Sequence, residues 1–135
     1  MNYKFQKLEV YQLSLQYTDL IYELCEKLPR SEDFNLKSQI TRAATSVTLN
    51  IAEGSTGQSD PEQTRFLGMA LRSLIETVAC KDLIERRAYL TSDELHDARE
   101  LSSKLFAKIQ PMRRSLGPSQ AAGIGRRSAV SGRPS

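Results

Sequence analysis

Apolar residues recur at intervals of three and four along most of this chain, which is the spacing that lines one face of an α-helix. In the first such segment, residues 8–28, the apolar face consists of Leu13, Tyr17, Leu20, Ile21, Leu24 and Leu28. Pro29 follows and is expected to end this helix. In the second segment, the face consists of Leu36, Ile40, Ala43, Ala44, Val47 and Ile51. Gly54 then stands where a helix-terminating glycine is expected.

The start of a third helix is marked by Asp60 and Pro61. A carboxylate at the N-cap, followed by a proline whose missing N–H costs nothing there, is typical of a helix N-terminus. This helix is predicted to run to about Tyr89, with an inward face of Leu67, Ala70, Leu71, Leu74 and Val78. Thr91 and Glu94 have the spacing of a capping box and predict the start of a fourth helix.

The fourth helix continues the same apolar rhythm to residue 116. Its inward positions are Leu95, Ala98, Leu105, Ile109, Met112 and Leu116. Pro111 is expected to kink the last turn or to end the helix early, because proline lacks the N–H that an internal turn requires.

The fold class follows from these four segments, since no stretch alternates apolar and polar residues over the length of a strand. Helices of about 15 to 29 residues joined by short loops favour an all-α, antiparallel up-down four-helix bundle. A chain of 135 residues with 39% hydrophobic content suits one such domain, over residues 1–116. Residues 117–135 are rich in Gly, Ser and Arg and are predicted to form a disordered tail.

The charge is distributed unevenly. Residues 111–135 contain five arginines and no acid, so subtracting these five from the 19 basic residues leaves 14 against all 16 acidic ones. Residues 1–110 are therefore slightly acidic, and composition alone does not indicate a domain that coats nucleic acid. With no run of about 18 apolar residues and no apolar leader, the chain is expected to be cytoplasmic.

Residue types argue against catalysis. His96 is the single histidine, and Cys25 and Cys80 lie in separate helical patterns as small core residues. Neither a nucleophile–base pair nor a zinc site can be assembled from this set, so we expect no enzyme activity, no metal and no cofactor.

The second helix has an ordered polar stripe beside its apolar face. It consists of Gln39, Arg42, Ser46, Asn50 and Glu53. These residues are either ordinary solvated side chains or the lining of a second surface, and Asn50, a mediocre helix former, favours a partner. On the second interpretation, Gln39, Arg42, Asn50 and Glu53 should be at least half buried by the third helix or another subunit, with Arg42 or Glu53 in a charge-assisted hydrogen bond.

The third helix has a comparable polar face opposite its apolar one. It comprises Glu62, Arg65, Met69, Arg72, Ser73, Glu76, Arg86 and Arg87. This face is either solvated with local ion pairs or a ridge that contacts phosphates. The candidate nucleic-acid-binding residues are Arg65, Arg72, Arg86 and Arg87. Ser73 and Glu76 are grouped with the polar stripe as structural or interface residues.

One long run of residues carries a family resemblance. It comprises residues 36–54, LKSQITRAATSVTLNIAEG, and downstream Ser59, Glu62, Arg65-Phe66-Leu67, Ala70, Ser73 and Glu76. With Phe5 and Leu8-Glu-Val-Tyr11, this run resembles the four helix bundle protein family, which is named for reading frames in intervening sequences of bacterial 23S rRNA genes. The family is related to accessory proteins of diversity-generating retroelements.

The resemblance implies an up-down bundle, with some relatives assembling as a pentamer and the retroelement relatives binding RNA and a reverse transcriptase. It favours an oligomeric RNA-binding accessory protein; the alternative is a homo-oligomeric protein–protein adaptor with no nucleic-acid role. Homo-oligomerisation is also indicated by apolar residues off or at the margin of the predicted core, namely Tyr3, Phe5, Tyr11, Tyr22, Leu49 and Leu71.

Overall fold

The computed structural model describes residues 3–56 and 59–116, and every regular element in that part of the chain is helical. The four helices are α1 (Glu9–Cys25), α2 (Leu36–Glu53), α3 (Asp60–Arg86) and α4 (Ser92–Leu116). Two short 3-10 turns, Lys4–Lys7 and Arg30–Glu32, precede α1 and α2. α1 and α3 each pack against both α2 and α4, which confirms the four-helix bundle. The predicted tail, 117–135, lies outside the described residues.

The core is built from the apolar faces that the periodicity predicted. Its fully buried members include Tyr17, Ile21, Ile40, Val47, Ile51, Leu67, Leu74, Ile84, Leu95, Leu105 and Ile109. Leu71 is buried as well, whereas Val78 is 36% exposed, so its predicted inward position was wrong. The inward face of α3 continues through Thr77 and Lys81, and Val78 is turned by one residue, about 100°, away from it.

Several helix ends differ from the prediction. α1 stops at Cys25 rather than at residue 28, and α3 stops at Arg86 because Ala88 adopts a left-handed conformation with φ of 63°. Ser59 takes the N-cap position of α3 that was predicted for Asp60. α4 continues through Pro111 to residue 116 instead of ending early. The shifts of about one to three residues in α1 and α3 are close to the usual variation at helix ends, where few hydrogen bonds hold the chain.

The predicted capping box of α4 is present. The Thr91 amide donates to Glu94 Oε1 at 2.9 Å, and the Glu94 amide donates to Thr91 Oγ1 at 3.1 Å. Each residue satisfies a backbone donor that the first helical turn leaves without a partner.

Gly54 ends α2 as predicted, although its role is close packing rather than an unusual backbone angle. Its φ of −75° is open to any residue. A β-carbon at this position would lie 3.1 Å from Phe66 Cβ and 3.2 Å from the Asn50 carbonyl oxygen. The glycine therefore lets the end of α2 approach the start of α3 closely.

Candidate nucleic-acid interface

The polar stripe of α2 faces α3 through its central residues. Ser73 Oγ donates to Ser46 Oγ at 2.8 Å, and Asn50 Nδ2 donates to Ser46 Oγ at 3.0 Å and to the Ser46 carbonyl at 2.9 Å. Asn50 is buried, as predicted. We call Ser46, Asn50 and Ser73 the polar seam. Its hydrogen bonds link α2 to α3, so this part of the stripe is structural.

The outer members of the stripe do not join the seam. Arg42 and Glu53 are exposed in the single chain, and Gln39 is half-buried and bonds Asn35 at the start of its own helix at 2.7 Å. The expected burial of Arg42 and Glu53 by α3 was therefore wrong, whereas their burial by another subunit stays a prediction. Arg42 lies roughly 80° further round the helix than Asn50, beyond the reach of α3. Glu76, which was grouped with them, is also exposed, on the outer side of α3.

A second buried polar network was not predicted from the sequence. Lys81 is fully buried, and its Nζ donates to Ser102 Oγ at 2.9 Å and to the Ala98 carbonyl at 3.2 Å. The same Nζ lies 4.9 Å from the ring centroid of Tyr17, whose hydroxyl is 2.7 Å from Thr77 Oγ1. Three helices, α1, α3 and α4, meet at this ammonium group.

Burial changes the acidity of both groups in this network. It lowers the pKa of Lys81 to about 8, helped by repulsion from Arg99 and opposed by Asp82. Burial raises the pKa of Tyr17 to about 12, and the hydrogen bond between Tyr17 and Thr77 opposes this shift. The sequence gives one indication that Lys81 is buried, namely its position. It lies seven residues after Leu74, on the inward face of α3.

The four candidate arginines of α3 are all exposed, but they do not form one ridge. Arg72 and Arg86 are 14 residues apart, which separates them by about 21 Å along the helix axis. Arg65 and Arg72 lie in the N-terminal half of α3, whereas Arg86 and Arg87 lie at its C-terminal end. Ile75 and Leu83, each about half exposed, lie between the two groups.

At the N-terminal end of α3 the structure adds an arginine from the basic C-terminal region of the sequence. Arg113 belongs to α4 and lies directly over Gly68, where a β-carbon would be 3.0 Å from Arg113 Nε. Gly68 follows Arg65 by three residues and precedes Arg72 by four, so all three guanidinium groups belong to one surface. We call Arg65, Arg72 and Arg113 the arginine cluster.

The arginine cluster lacks ion pairs of the kind that Arg99 of α4 forms. Arg99 lies 2.8 Å from Glu85 and 3.1 Å from Asp82, and these contacts raise its pKa. The ion pairs found among residues 3–56 and 59–116 do not include any member of the arginine cluster. Arg65 instead stacks its guanidinium over the Phe66 ring, 4.5 Å from the centroid. Such side chains remain available to an external anion.

The described residues contain no cluster of side chains that suits metal binding. No group of three metal-ligating side chains occurs among them, and His96 is an exposed residue 3.7 Å from Glu100. Cys25 and Cys80 are free and buried, and burial raises the pKa of Cys25 to about 11. Within the same described part of the chain, no helix is long and apolar enough to cross a membrane.

The fold and this surface define a class: a small helical bundle with an apolar core, a few buried polar contacts between its helices, and exposed arginines along α3. The chain belongs to the 23S rRNA-intervening sequence protein family, whose model matches residues 6–111. This confirms the resemblance carried by the residues around NIAEG. No curated protein matches the chain.

A solved structure is similar as well. It is that of a protein of unknown function from the S23 ribosomal protein family of Bacteroides thetaiotaomicron, which is 25% identical to this chain. The match covers 78% of this chain and 95% of the other, with a TM-score of 0.72. The bundle therefore accounts for nearly the whole of that relative.

Proposed function

We propose that this protein is a non-enzymatic, cytoplasmic accessory protein that binds RNA through electrostatic contacts with phosphates. The observation that carries the proposal is the arginine cluster: Arg65, Arg72 and Arg113 come together from two helices and form no ion pair within the described part of the chain. Guanidinium groups bind phosphate oxygens in a bidentate manner, and such contacts do not depend on sequence.

Two further points support RNA as the ligand. The family takes its name from intervening sequences of 23S rRNA. The sequence beyond residue 116 contains three further arginines, Arg126, Arg127 and Arg133, and no acid. Residues 1–116, which include Arg113, carry 16 basic and 16 acidic side chains. Clustered cations on one side of such a domain give a local site without making the whole surface basic.

Charge reversal tests this proposal. Arg65→Glu combined with Arg72→Glu should weaken binding of a fluorescent RNA by roughly tenfold or more and flatten the dependence of binding on salt, because fewer counterions are released. Arg42→Glu is the matched control, since Arg42 is exposed on α2 and the change in charge per site is the same. Truncation after Leu116 should have a smaller effect than the double reversal.

Two results would contradict the proposal. If truncation after Leu116 alone abolishes binding, the folded domain is not the RNA-binding element. If the wild type shows no salt-sensitive binding even at low ionic strength, RNA binding is rejected as a whole.

A second candidate function is a homo-oligomeric adaptor, and exposed apolar side chains favour it. Tyr3, Tyr22, Leu49, Ile75 and Leu83 are each at least half exposed in the single chain. Surfaces of this kind are commonly covered in an assembly. The two functions are compatible, because repetition of the arginine cluster in a homo-oligomer, a pentamer by resemblance, would multiply weak contacts. A reverse transcriptase is the candidate protein partner by the same resemblance.

A further inference from the structure

Phe34 is the most exposed large apolar side chain in the described part of the protein. It is 99% exposed, in the turn between the 3-10 turn Arg30–Glu32 and α2. The fold gains no burial energy from this ring, so its position has no explanation in the packing of the bundle.

The turn that presents Phe34 is held by hydrogen bonds on both sides of it. Glu32 accepts from Asn35 Nδ2 at 3.0 Å, from the Leu36 amide at 3.3 Å and, through its other oxygen, from the Tyr89 hydroxyl at 2.8 Å. Asp33 pairs with Lys37 at 2.7 Å. Because the backbone is already ordered, a ligand that contacts the ring loses little entropy in immobilising it.

Exposed cations lie beside this turn. Arg30 opens the 3-10 turn, and Arg86 and Arg87 end α3, which the Tyr89–Glu32 hydrogen bond ties to the same end of the bundle. The two acids of the turn are already occupied: Glu32 accepts from the Tyr89 hydroxyl, and Asp33 pairs with Lys37. The result is an aromatic face with arginines nearby.

We propose that Phe34 stacks on an unpaired base of single-stranded RNA while Arg30 and Arg87 contact the flanking phosphates. The proposal rests on the proposed function and adds to it a second site, at the opposite end of α3 from the arginine cluster. Stacking on an aromatic ring tolerates any base, because every base has a π-face.

The surroundings of Phe34 favour a nucleic acid over a pocket on another protein. An aromatic anchor of a protein interface is normally ringed by contacts that exclude water. Phe34 has polar neighbours in sequence, and Ser31 and Asn35 are exposed like the ring itself. Polar and cationic neighbours are suited to the sugar and phosphate groups that flank a stacked base.

The chain contains no tryptophan, which allows a direct test. Phe34→Trp places a single indole in the site, and titration with single-stranded oligouridylate should quench its fluorescence as a base stacks on it. Leu49→Trp is the matched control, because Leu49 is 59% exposed on α2, away from the turn. Its fluorescence should not change.

Phe34→Ala should bind the same oligonucleotide about tenfold more weakly and bind blunt duplex RNA as the wild type does. Its thermal unfolding should be unchanged, since the ring is not packed.

The stacking proposal is rejected if the wild type binds RNA, Phe34→Ala binds single strands equally well, and the fluorescence of Phe34→Trp stays constant. In that case the proposal for the arginine cluster still stands. If the wild type binds no RNA, both proposals fail. If Phe34→Ala changes only the sedimentation coefficient, Phe34 contacts protein and the stacking proposal is overturned.

Discussion

At the scale of single residues, the least expected feature is a lysine at the centre of the bundle. Lys81 has three donors, and two of them bond Ser102 and the Ala98 carbonyl while the ammonium lies against the ring of Tyr17. No ion pair found in the described part of the chain involves it. A buried charge of this kind is costly to desolvate, and an apolar residue of the same size often serves stability as well or better.

Lys81→Met should therefore be tolerated. We expect its free energy of unfolding at pH 7 to fall by no more than about 1 kcal/mol, or to rise, because Met fills the same space without a charge. Lys81→Ala should lose about 2–5 kcal/mol through the cavity it leaves. Urea denaturation monitored by circular dichroism measures both. A Met variant as unstable as the Ala variant would show that the ammonium contacts stabilise the fold.

The same residue predicts a dependence of stability on pH. Folding lowers the pKa of Lys81 from 10.5 to about 8, so the unfolded chain binds the proton more tightly. The loss of folding stability caused by burying the charged ammonium is fully present below about pH 8. Between that pH and 10.5 the stability is recovered, by at most about 1.4 kcal/mol per pH unit. The stability of the wild type relative to Lys81→Met should rise from pH 7 to pH 10. The buried cysteines are common to both proteins and cancel in this difference.

At the scale of helices, close approach at two glycines has opposite consequences. Gly54 faces the Phe66 β-carbon and the Asn50 carbonyl oxygen, neither of which can move without shifting a helix. Gly68 faces the end of the flexible Arg113 side chain. The sequence alone does not distinguish these glycines, because the difference lies in what the neighbouring helix presents.

Gly54→Ala should destabilise the protein by about 1–3 kcal/mol, as expected for overpacking. Gly68→Ala should be neutral or stabilising by up to about 1 kcal/mol, since alanine is the better helix former and Arg113 can swing away. The two midpoints in urea give the comparison directly. Equal effects of the two substitutions would contradict the packing explanation. Gly68→Ala should also weaken RNA binding modestly if Arg113 belongs to the phosphate site.

At the scale of the whole molecule, the outer side of α3 alternates charge and apolar surface. The arginine cluster lies at one end, Arg86 and Arg87 lie at the other, and Ile75, Val78 and Leu83 are exposed between them. A surface with arginines towards both ends, and with exposed apolar side chains and Glu76 between them, offers one part to an assembly and another to an RNA ligand.

We expect a closed homo-oligomer in solution. Sedimentation equilibrium at tens of micromolar should give a mass several times 15.2 kDa. The double substitution Ile75→Glu with Leu83→Glu should reduce this mass if the outer side of α3 is the contact between subunits. Gln16→Glu, at an exposed polar position on α1, is the control. A monomeric wild type at that concentration would reject the prediction.

The sequence by itself determined the architecture of this protein, because helix periodicity, caps and short loops are local signals that repeat over many residues. The apolar face of Ile40, Val47 and Ile51, the Thr91 capping box and the family membership carried by NIAEG all follow from residues close together in the chain. Each of these signals can be recognised within one helix or its ends.

The tertiary structure decided what each polar residue does, since that depends on which helix lies opposite. Asn50 and Arg42 are alike in the polar stripe, yet one bonds Ser46 in the polar seam and the other is exposed. Lys81 and Arg113 gained their surroundings from residues on other helices. Contacts between residues far apart in the chain are set by the angles at which helices pack, and no local pattern in the sequence encodes those angles.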